Sequence, residues 1–416
     1  MAGRKDFEEE EKTAPGIALD DIGETTDPGI SPLLKNSAGS HAPVPRQRAP
    51  APPANQAPAA KMPDLGPINV FMRDPEITEI MINDVRNVMI EKRGKLMFSG
   101  FCYQGIDELN RFVRTILDIT GRILSPDQPY VDVMLPDGSR VNIVGPPVTI
   151  QGPCVTIRKF PLKKFTVNDL IAAASLDQRM AYFLNACVIG RINMLISGGT
   201  GSGKTTLLNV LSGFIPKGER IVMIEDTPEL VLSHANSVRL QTKPQTPMSP
   251  AVSARELVAN SLRMRPDRII VGECRRAEAM DMLQAMNTGH EGSMTTIHAN
   301  NPRDALARLE TLCMLANTEL PLLAIRKQVT SALDLVVQIK RFRGGERKLV
   351  SIVELTGMES DTYTLQDIFM YEIDLSATLD QTAAGSAGRF KCTGLVPTFM
   401  ERMREHGIEM PKNFFG

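Results

Sequence analysis

A glycine-rich segment between residues 191 and 208 carries the residues whose types and spacing most directly indicate chemistry. Gly198, Gly203, Lys204 and Thr205 match the spacing G-x-x-x-x-G-K-[ST] of a phosphate-binding loop, or P-loop. Glycines let the backbone curl so that successive N–H groups point at phosphate oxygens, and the helix that follows adds its positive end. Lys204 can reach the β- and γ-phosphates of a nucleotide, and Thr205 can supply a hydroxyl to Mg2+.

The whole turn is therefore predicted to bind ATP together with Mg2+. The expected contacts come from Gly198, Gly199, Thr200, Gly201, Ser202, Gly203, Lys204, Thr205 and Thr206. The alternative is a glycine-rich turn that ends in Lys-Thr by chance. The apolar run before the turn and the helical pattern after it disfavour that alternative, because a P-loop lies between a strand and a helix.

Three carboxylates, Glu225, Asp226 and Glu229, follow directly on an apolar strand predicted at residues 220–224. Strand ends in a parallel sheet face the same edge as the P-loop, so these groups are expected near the phosphates. A carboxylate there can hold Mg2+ through water or orient the attacking water. The alternative for each of them is a polar strand terminus without a catalytic role.

Glu273 follows a second hydrophobic strand, predicted at residues 268–271. A hydrophobic strand that ends in an acid is typical of Mg2+ coordination beside a P-loop. Gly272 stands where that pattern usually has Asp, so the motif departs from the common Walker B form. We interpret Glu273 as a ligand of Mg2+ through water, with a purely structural carboxylate as the alternative.

His298 ends an apolar strand predicted at residues 294–297, level with the acidic groups. A histidine there could sense the γ-phosphate or transmit its state to a neighbour. His290 is a weaker candidate, and a satisfied structural histidine is the alternative for both. Neither has a partner Cys or His at ligand spacing, so no zinc site is predicted.

Arginines that stabilise charge on the transferred phosphoryl group form the last class of candidates. Arg140, in a predicted hairpin, and Arg158, at the junction of two predicted domains, would enter from the smaller domain. Arg255, Arg263 and Arg265 could act in the same way from the larger domain. Solvated or ion-paired surface arginines are the alternative in each case.

The composition of the 416 residues is that of a globular protein, with 42% hydrophobic and 23% charged residues. The net charge of −1 and the absence of Trp argue against a nucleic-acid partner. Six widely spaced cysteines indicate free thiols in a reducing compartment. A glutamate-rich start and the lack of any apolar run of about 18 residues predict neither a secretory signal nor a membrane span. We therefore expect a cytoplasmic protein that meets a membrane only through partners.

The order of predicted elements indicates an α/β protein. A small N-terminal α/β domain precedes a P-loop domain, because strands alternate with helices from residue 177 onward and such alternation builds a mostly parallel sheet. The predicted division is a disordered Pro/Ala-rich tail at 1–67, the α/β domain at 68–162, a linker at 163–176, the ATPase domain at 177–376, and a tail or subdomain at 377–416.

The four motifs in this order resemble those of the type II/type IV secretion ATPase family. The stretches at residues 263–274, 281–290 and 295–300 are most similar to the CpaF-like ATPases of Tad (Flp) pilus assembly, and the resemblance covers about 68–371. It implies that the domain at 177–376 is RecA-like and that the protein is a homohexameric ATPase beneath inner-membrane platform proteins, with ATP in the cleft between the two domains. By resemblance, Glu225 and Glu273 would lie near the reacting phosphate, and Arg140 and Arg158 would contact the nucleotide.

Two departures and three alternatives qualify this hypothesis. A Pro/Ala-rich tail stands where CpaF-like proteins often have helices, and the segment after residue 376 lies outside the resemblance. A RecA-like DNA motor, a DNA or protein transfer ATPase of a type IV secretion system, and a scaffold that binds ATP with negligible turnover remain alternatives. The residues do not decide between pilus extension and retraction.

Overall fold

The computed structural model describes residues 64–160, 165–232, 234–245, 249–316, 319–374, 376–378 and 387–416. All of them belong to one compact unit, Ala51–Gly416. Of the tail predicted to be disordered at 1–67, residues 1–63 lie outside the described residues, whereas Leu65 is buried and a 3-10 turn begins at Gly66. The predicted domain boundaries stay predictions, whereas the predicted fold class, a small α/β domain before a RecA-like domain with a mostly parallel sheet, is confirmed.

The first sheet is antiparallel and has the strand order β3-β2-β1-β6-β5-β4. Its strands are β1 Ile77–Ile82, β2 Val88–Lys92, β3 Lys95–Phe98, β4 Tyr130–Met134, β5 Arg140–Val144 and β6 Cys154–Arg158. Two helices accompany it, α1 Asn69–Arg73 and α2 Ile106–Thr120. Helix α2 buries Leu109, Phe112, Val113 and Ile116 against the sheet, as their helical spacing predicts. It ends three residues earlier than the expected 106–123, because Gly121 adopts a left-handed conformation.

The second sheet contains the P-loop strand and has the order β15-β14-β13-β12-β7-β11-β10-β8-β9. Strands from β12 to β9 in that order are parallel, and those from β12 to β15 are antiparallel. The strands are β7 Met194–Gly198, β8 Ile221–Glu225, β9 Ser237–Gln241, β10 Arg268–Val271, β11 Met294–Ile297, β12 Leu335–Arg341, β13 Arg347–Glu359, β14 Thr362–Ile373 and β15 Gly388–Cys392.

Helices cover both faces of this sheet, as a parallel sheet with fully buried strands requires. They are α3 Val167–Ala172, α4 Gln178–Ile189, α5 Lys204–Ser212, α6 Ala254–Ser261, α7 Glu278–Asn287, α8 Pro302–Met314, α9 Leu322–Ala332 and α10 Met400–Glu405. Helices α4, α5 and α10 pack on one face and α6 to α9 on the other. None of the described helices is long and apolar enough to cross a lipid bilayer.

Local signals placed several helix ends correctly. Capping boxes form at Thr166 with Asp169 and at Ser253 with Glu256, which confirms the predicted starts of α3 and α6. Helix α6 was expected to reach residue 264, but it changes to a 3-10 turn at Leu262–Met264. The predicted hairpin around Gly344 and Gly345 is confirmed as β12 and β13.

The C-terminal segment is joined to the second sheet. Strand β15 pairs with β14, so residues 388–392 extend the sheet beyond the predicted hairpin. Phe414 and Phe415 pack against Phe183 of α4, and Phe399 and Phe369 complete an aromatic cluster. The sequence of this segment shows no periodicity that indicates such packing.

Candidate functional site

The P-loop connects β7 to α5, the strand–loop–helix arrangement that its spacing predicts. Gly201 and Gly203 have φ values of 66° and 100°, which favour glycine. A Cβ atom on Gly198 would collide with the carbonyl oxygen of Ile339, on the neighbouring strand, and with the hydroxyl of Ser202. The loop therefore needs glycine both for its conformation and for close packing against β12.

Two polar groups in the loop fit an anionic ligand. The Ser202 hydroxyl is buried and has no hydrogen-bond partner among the described residues. Lys204 is 7% exposed and its Nζ donates to the Gly199 carbonyl oxygen at 3.0 Å. Buried donors without full compensation are stabilised by a ligand that accepts hydrogen bonds, and phosphate oxygens do so. The loop accordingly fits the triphosphate predicted from its sequence.

Lys204, His298, Glu273 and Arg275 form a continuous polar row at the carboxyl end of the parallel strands. The Lys204 Nζ is 3.4 Å from each ring nitrogen of His298, and His298 Nε2 is 2.9 Å from Glu273 Oε1. The other oxygen of Glu273 accepts from the Arg275 guanidinium at 2.6 Å. The strand ends thus bring together two motifs that lie 94 residues apart in the sequence.

Burial, reinforced by the positive charge of Lys204, lowers the pKa of His298. At neutral pH the imidazole is therefore uncharged and has one N–H. A proton on Nε2 lets His298 donate to Glu273 while Nδ1 accepts from Lys204. His298 thus fits a positioning role for Glu273, whereas His290 lies apart from this row, with its Nδ1 3.3 Å from the Ala285 carbonyl oxygen.

Glu225 occupies the space that the unusual Gly272 leaves open. The Glu225 Cγ would be only 3.1 Å from a Cβ on Gly272, so a larger residue at 272 would crowd the Glu225 side chain. Glu225 Oε1 accepts the backbone N–H groups of Glu229 and Leu230 at 2.8 Å each. Burial raises the pKa of Glu225 despite these hydrogen bonds. The side chain therefore holds the 226–230 loop in place beside the P-loop.

A cleft runs between the two sheets beside Thr205. Its lining combines carboxylates with arginines from both sheets: Arg140, Thr205, Glu225, Asp226, Thr227, Glu229, Gly272, Glu273 and Arg275. In the part of the chain that the structure describes, no group of three or more His, Cys, Asp or Glu could hold a metal ion. Mg2+ keeps several waters and binds through few protein ligands plus phosphates, so Thr205 and Glu273 suffice as its expected contacts.

The first sheet presents its two candidate arginines side by side. Arg140 and Arg158 are cross-strand neighbours on β5 and β6. Arg140 Nη1 is 3.5 Å from Glu229 Oε1, across the cleft, and Arg158 Nε is 3.8 Å from Glu79 Oε1. About half of the Arg158 side chain is exposed, and its charge contributes to the lowered pKa of Lys204.

The structure places the other three candidate arginines elsewhere. Arg255 pairs with Asp281 at 3.0 Å and donates to the Ala316 carbonyl, while Arg263 lies in the 3-10 turn and Arg265 follows it. None of them is among the residues that line the described cleft. They are structural or surface residues in this conformation.

Sequence reasoning missed three arginines at the site. Arg275 lines the cleft and pairs with Glu273 and, at 3.8 Å, with Asp226. Its position two residues after Glu273 was an available signal. Arg347 Nε donates to the Gly201 carbonyl at 3.0 Å, and Arg341 lies beside the same loop. Both come from the β12–β13 hairpin, more than 130 residues downstream, and no local pattern marks them.

The environment of Lys204 predicts a pH dependence of nucleotide binding. Burial lowers the pKa of Lys204 to about 8, with Glu273 and Glu229 opposing and Arg158 and Arg275 adding to the shift. His298 faces the same ammonium and is neutral in this range. Above that pKa the free protein must take up a proton before it binds phosphate. The contribution of Lys204 should keep the Kd for a nucleotide constant below about pH 8. Above that pH it should make the Kd rise by about tenfold per pH unit.

Equilibrium binding of a fluorescent ATP analogue between pH 6.5 and 9.5 measures this effect. Lys204→Arg is the matched control, because its guanidinium stays charged and its weaker binding should lack the alkaline rise. A wild-type Kd that stays constant up to pH 9.5 would contradict a depressed Lys204 pKa.

Comparison with known proteins identifies a matching family and several relatives. A family model described as Type II/IV secretion system protein matches residues 61–353. An uncharacterized protein of Methanocaldococcus jannaschii is 43% identical over 238 residues, which are 55% of this chain and only 33% of that protein. A putative conjugal transfer protein of Mycobacterium tuberculosis is 34% identical over 313 residues, covering 74% of this chain and 88% of the relative. The type IV secretion system protein VirB11 of Bartonella quintana is 32% identical over 330 residues, covering 70% and 92%.

A solved structure shares the fold. The structure of the pilus retraction motor PilT with bound ADP has a TM-score of 0.50 and 19% identity, over 72% of this chain and 82% of that one. At this identity the similarity concerns the fold alone. It agrees with the two-sheet architecture described above.

Proposed function

We propose, because the chain belongs to the Type II/IV secretion system protein family, that it is an ATP-hydrolysing motor of that family. The observation that supports this best is the convergence of both sheets on one cleft. Arg140 of the first sheet reaches Glu229, in the loop that follows β8 of the second sheet, at 3.5 Å, in a cleft lined by Thr205 and Glu273.

The residues of the cleft have complementary parts in phosphoryl transfer to water. Lys204 and the N–H groups of the P-loop would compensate the charge of the β- and γ-phosphate oxygens. Thr205 and, through water, Glu273 would hold Mg2+, which supplies further positive charge when it is bound. His298 and Arg275 fix the Glu273 carboxylate between them, so Glu273 is oriented where it can also align the attacking water.

Arg140 and Arg158 would stabilise the charge on the transferred phosphoryl group. They belong to a different sheet from the P-loop, so they reach the phosphate only when the two parts of the cleft are close together. Binding of ATP would favour closure, and loss of the γ-phosphate would remove the anion that holds the walls together. Hydrolysis would in this way let the first domain move relative to the P-loop.

The finer assignment follows the similarity of the motifs to CpaF-like ATPases. We propose that the protein assembles as a homohexamer in the cytoplasm, at the inner membrane, and acts on platform proteins of a Tad or type IV-like pilus. The names of the mycobacterial and VirB11 relatives favour a second candidate, transfer of protein or DNA through a type IV secretion system. Zinc has no part in either proposal, and direct binding to nucleic acid is not expected.

Phosphate release by the full-length protein tests the motor proposal. We expect Mg2+-dependent hydrolysis whose specific activity rises with protein concentration. Over the same concentration range, light scattering should detect the formation of a six-subunit particle. Neither single- nor double-stranded DNA should stimulate it. Absence of hydrolysis at every concentration would favour a nucleotide-gated scaffold, whereas strong stimulation by DNA would favour a DNA motor.

The arginines of the first sheet give a further prediction. Arg140→Ala and Arg158→Ala should each reduce kcat by on the order of 10³, because each removes positive charge from the transition state. The KM for ATP should change much less, since the P-loop is unaltered. Arg122→Ala is the matched control, because Arg122 is an exposed arginine of the same domain. Steady-state kinetics in which both cleft variants match Arg122→Ala would remove these arginines from the mechanism.

A further inference from the structure

A second set of contacts connects the P-loop to the first domain and involves none of Lys204, His298, Glu273 and Arg275. The β12–β13 hairpin carries Arg341 and Arg347, and both lie beside the P-loop. Arg347 Nε donates to the Gly201 carbonyl at 3.0 Å, and its Cδ lies 3.4 Å from the position of a Cβ on Gly203. The Arg341 Nη1 lies 3.0 Å from the corresponding position on Gly201. Both arginines of one hairpin therefore lie beside Gly201, and Arg347 also lies beside Gly203.

Arg341 also contacts the first domain. Its Nη2 donates to Glu91 Oε1 at 2.6 Å and to the Gly94 carbonyl oxygen at 2.5 Å. Glu91 lies on β2 and is only 8% exposed, so this is a largely buried ion pair between the two sheets. Removing one partner of such a pair leaves the other charge buried and uncompensated.

The two hairpin turns touch each other at glycines. Gly94, in the β2–β3 turn, has φ 75°, and Gly345, in the β12–β13 turn, has φ 91°. A Cβ on Gly345 would lie 3.5 Å from the Gly94 carbonyl oxygen. The contact therefore continues from the P-loop through Arg341 to the turn of the β2–β3 hairpin.

Charge balance distinguishes this cluster from an ordinary ion pair. Burial and the nearby charge of Arg341 lower the pKa of Arg347, with Glu91 acting in the opposite direction. Two guanidinium groups thus share one carboxylate behind a loop that also carries Lys204. An anion in the loop relieves the mutual repulsion of these groups, and its loss restores it.

We propose that Arg341 and Arg347 are positioning residues that couple the conformation of the P-loop to the position of the first domain. Arg347 holds the Gly201 carbonyl and with it the direction of the adjacent N–H groups. Arg341 transmits the state of the loop to Glu91 and to the β2–β3 hairpin. Because β5 and β6 of the same sheet carry Arg140 and Arg158, this contact sets where those arginines lie relative to the phosphates. The inference rests on the proposed binding of ATP at the P-loop.

The two arginines should have separable kinetic effects. Arg347→Ala loosens the loop itself, so the KM and the Kd for a nucleotide should rise by about tenfold. Arg341→Ala leaves the loop intact but releases the first domain, so kcat should fall by about tenfold or more while the Kd changes little. Arg341→Lys should restore part of kcat, because an ammonium can still reach Glu91. Arg343→Ala is the control, since Arg343 is an exposed arginine of the same hairpin.

Hydrogen exchange supplies a readout that a purely structural role would not change. In the wild-type protein, a non-hydrolysable ATP analogue with Mg2+ should slow amide exchange in residues 88–98. Arg341→Ala should bind the analogue and lose that response. Glu91→Gln keeps the shape of the side chain, so it tests the same contact if Arg341→Ala fails to fold. The double variant, Arg341→Ala with Glu91→Gln, should have a kcat no lower than that of the more affected single variant. Each single change already removes the same Arg341–Glu91 interaction, so the second change adds nothing.

The outcomes separate this inference from the motor proposal. If the wild-type protein neither binds nor hydrolyses ATP, the proposed function fails. If the wild-type protein is active and Arg341→Ala matches Arg343→Ala in kcat and in exchange of residues 88–98, the coupling is overturned. If Arg341→Ala and Arg347→Ala show the same rise in Kd, the same fall in kcat and a lowered Tm, the arginines only stabilise the fold.

Discussion

Replacing Lys204 with alanine should reduce ATP turnover by on the order of 10³ and weaken nucleotide binding strongly. The ammonium is buried under the P-loop, with the Gly199 carbonyl and the His298 ring as its contacts. Of the neighbouring arginines, Arg347 donates to the Gly201 carbonyl oxygen and Arg275 pairs with Glu273, so neither replaces the ammonium against Gly199. Phosphate release at saturating Mg-ATP and equilibrium binding of a fluorescent analogue measure the two effects.

The stability of the variant separates loss of chemistry from loss of the fold. Burial holds the pKa of Lys204 below its value in the unfolded chain, so the charged form is disfavoured in the folded protein. Alanine removes that cost, and the Tm without nucleotide should not fall by more than a few degrees. Lys217→Ala, at an exposed lysine near the end of α5, is the control. Turnover by Lys204→Ala within a few-fold of this control would contradict the assigned role.

The edge of the second sheet was predictable because the rule behind it is topological. Parallel strands end on one side, so any polar residue that follows a buried strand lies near its counterparts. Glu225 is the last residue of such a strand, Glu273 and His298 follow one, and the structure brings all three beside Lys204 and Thr205. What this rule cannot supply is the bonding within the group. That His298 bridges Lys204 and Glu273 depends on side-chain directions that no sequence spacing specifies.

The departure from the common Walker B pattern has a physical reason that only the structure reveals. Gly272 stands where an aspartate was expected because the Glu225 side chain fills the space above it. A sequence pattern shows that a carboxylate is missing at position 272. It does not show that Glu225, on the neighbouring strand, occupies the space beside Gly272. The pairing of β8 with β10 brings the two positions together, and that pairing joins residues about 47 apart.

Contacts between the two sheets were the least predictable part of the site. Arg140 was a candidate because of its place after a turn, but its partner Glu229 lies 89 residues away. Arg341 and Glu91 are separated by 250 residues, and neither belongs to a motif. Such pairs depend on how the two sheets pack against each other, a property that local propensity and periodicity do not encode. The C-terminal aromatic cluster around Phe183 was missed for the same reason.

Glu273→Gln should give the second large effect, a fall in kcat on the order of 10²–10³ with nucleotide binding retained. Glutamine has nearly the same shape, but it cannot carry the charge that holds Mg2+ through water or attracts the proton of the attacking water. Binding should be equal or tighter, because the variant removes a negative charge from beside the phosphates. A lower kcat with an unchanged or lower Kd is therefore the expected signature.

The Mg2+ dependence of the variant distinguishes the two roles open to this carboxylate. If Glu273 helps to hold the ion, half-maximal turnover by Glu273→Gln should need several-fold more Mg2+ than the wild-type protein needs, and excess Mg2+ should recover part of kcat. If it acts on the water alone, kcat should fall with no change in the Mg2+ requirement. Glu359→Gln, at an exposed glutamate of β13, is the control. Wild-type kcat in Glu273→Gln would exclude both roles and leave Glu273 as the ion-pair partner of Arg275 and His298, which would move the search for the catalytic carboxylate to Glu225 and Glu229.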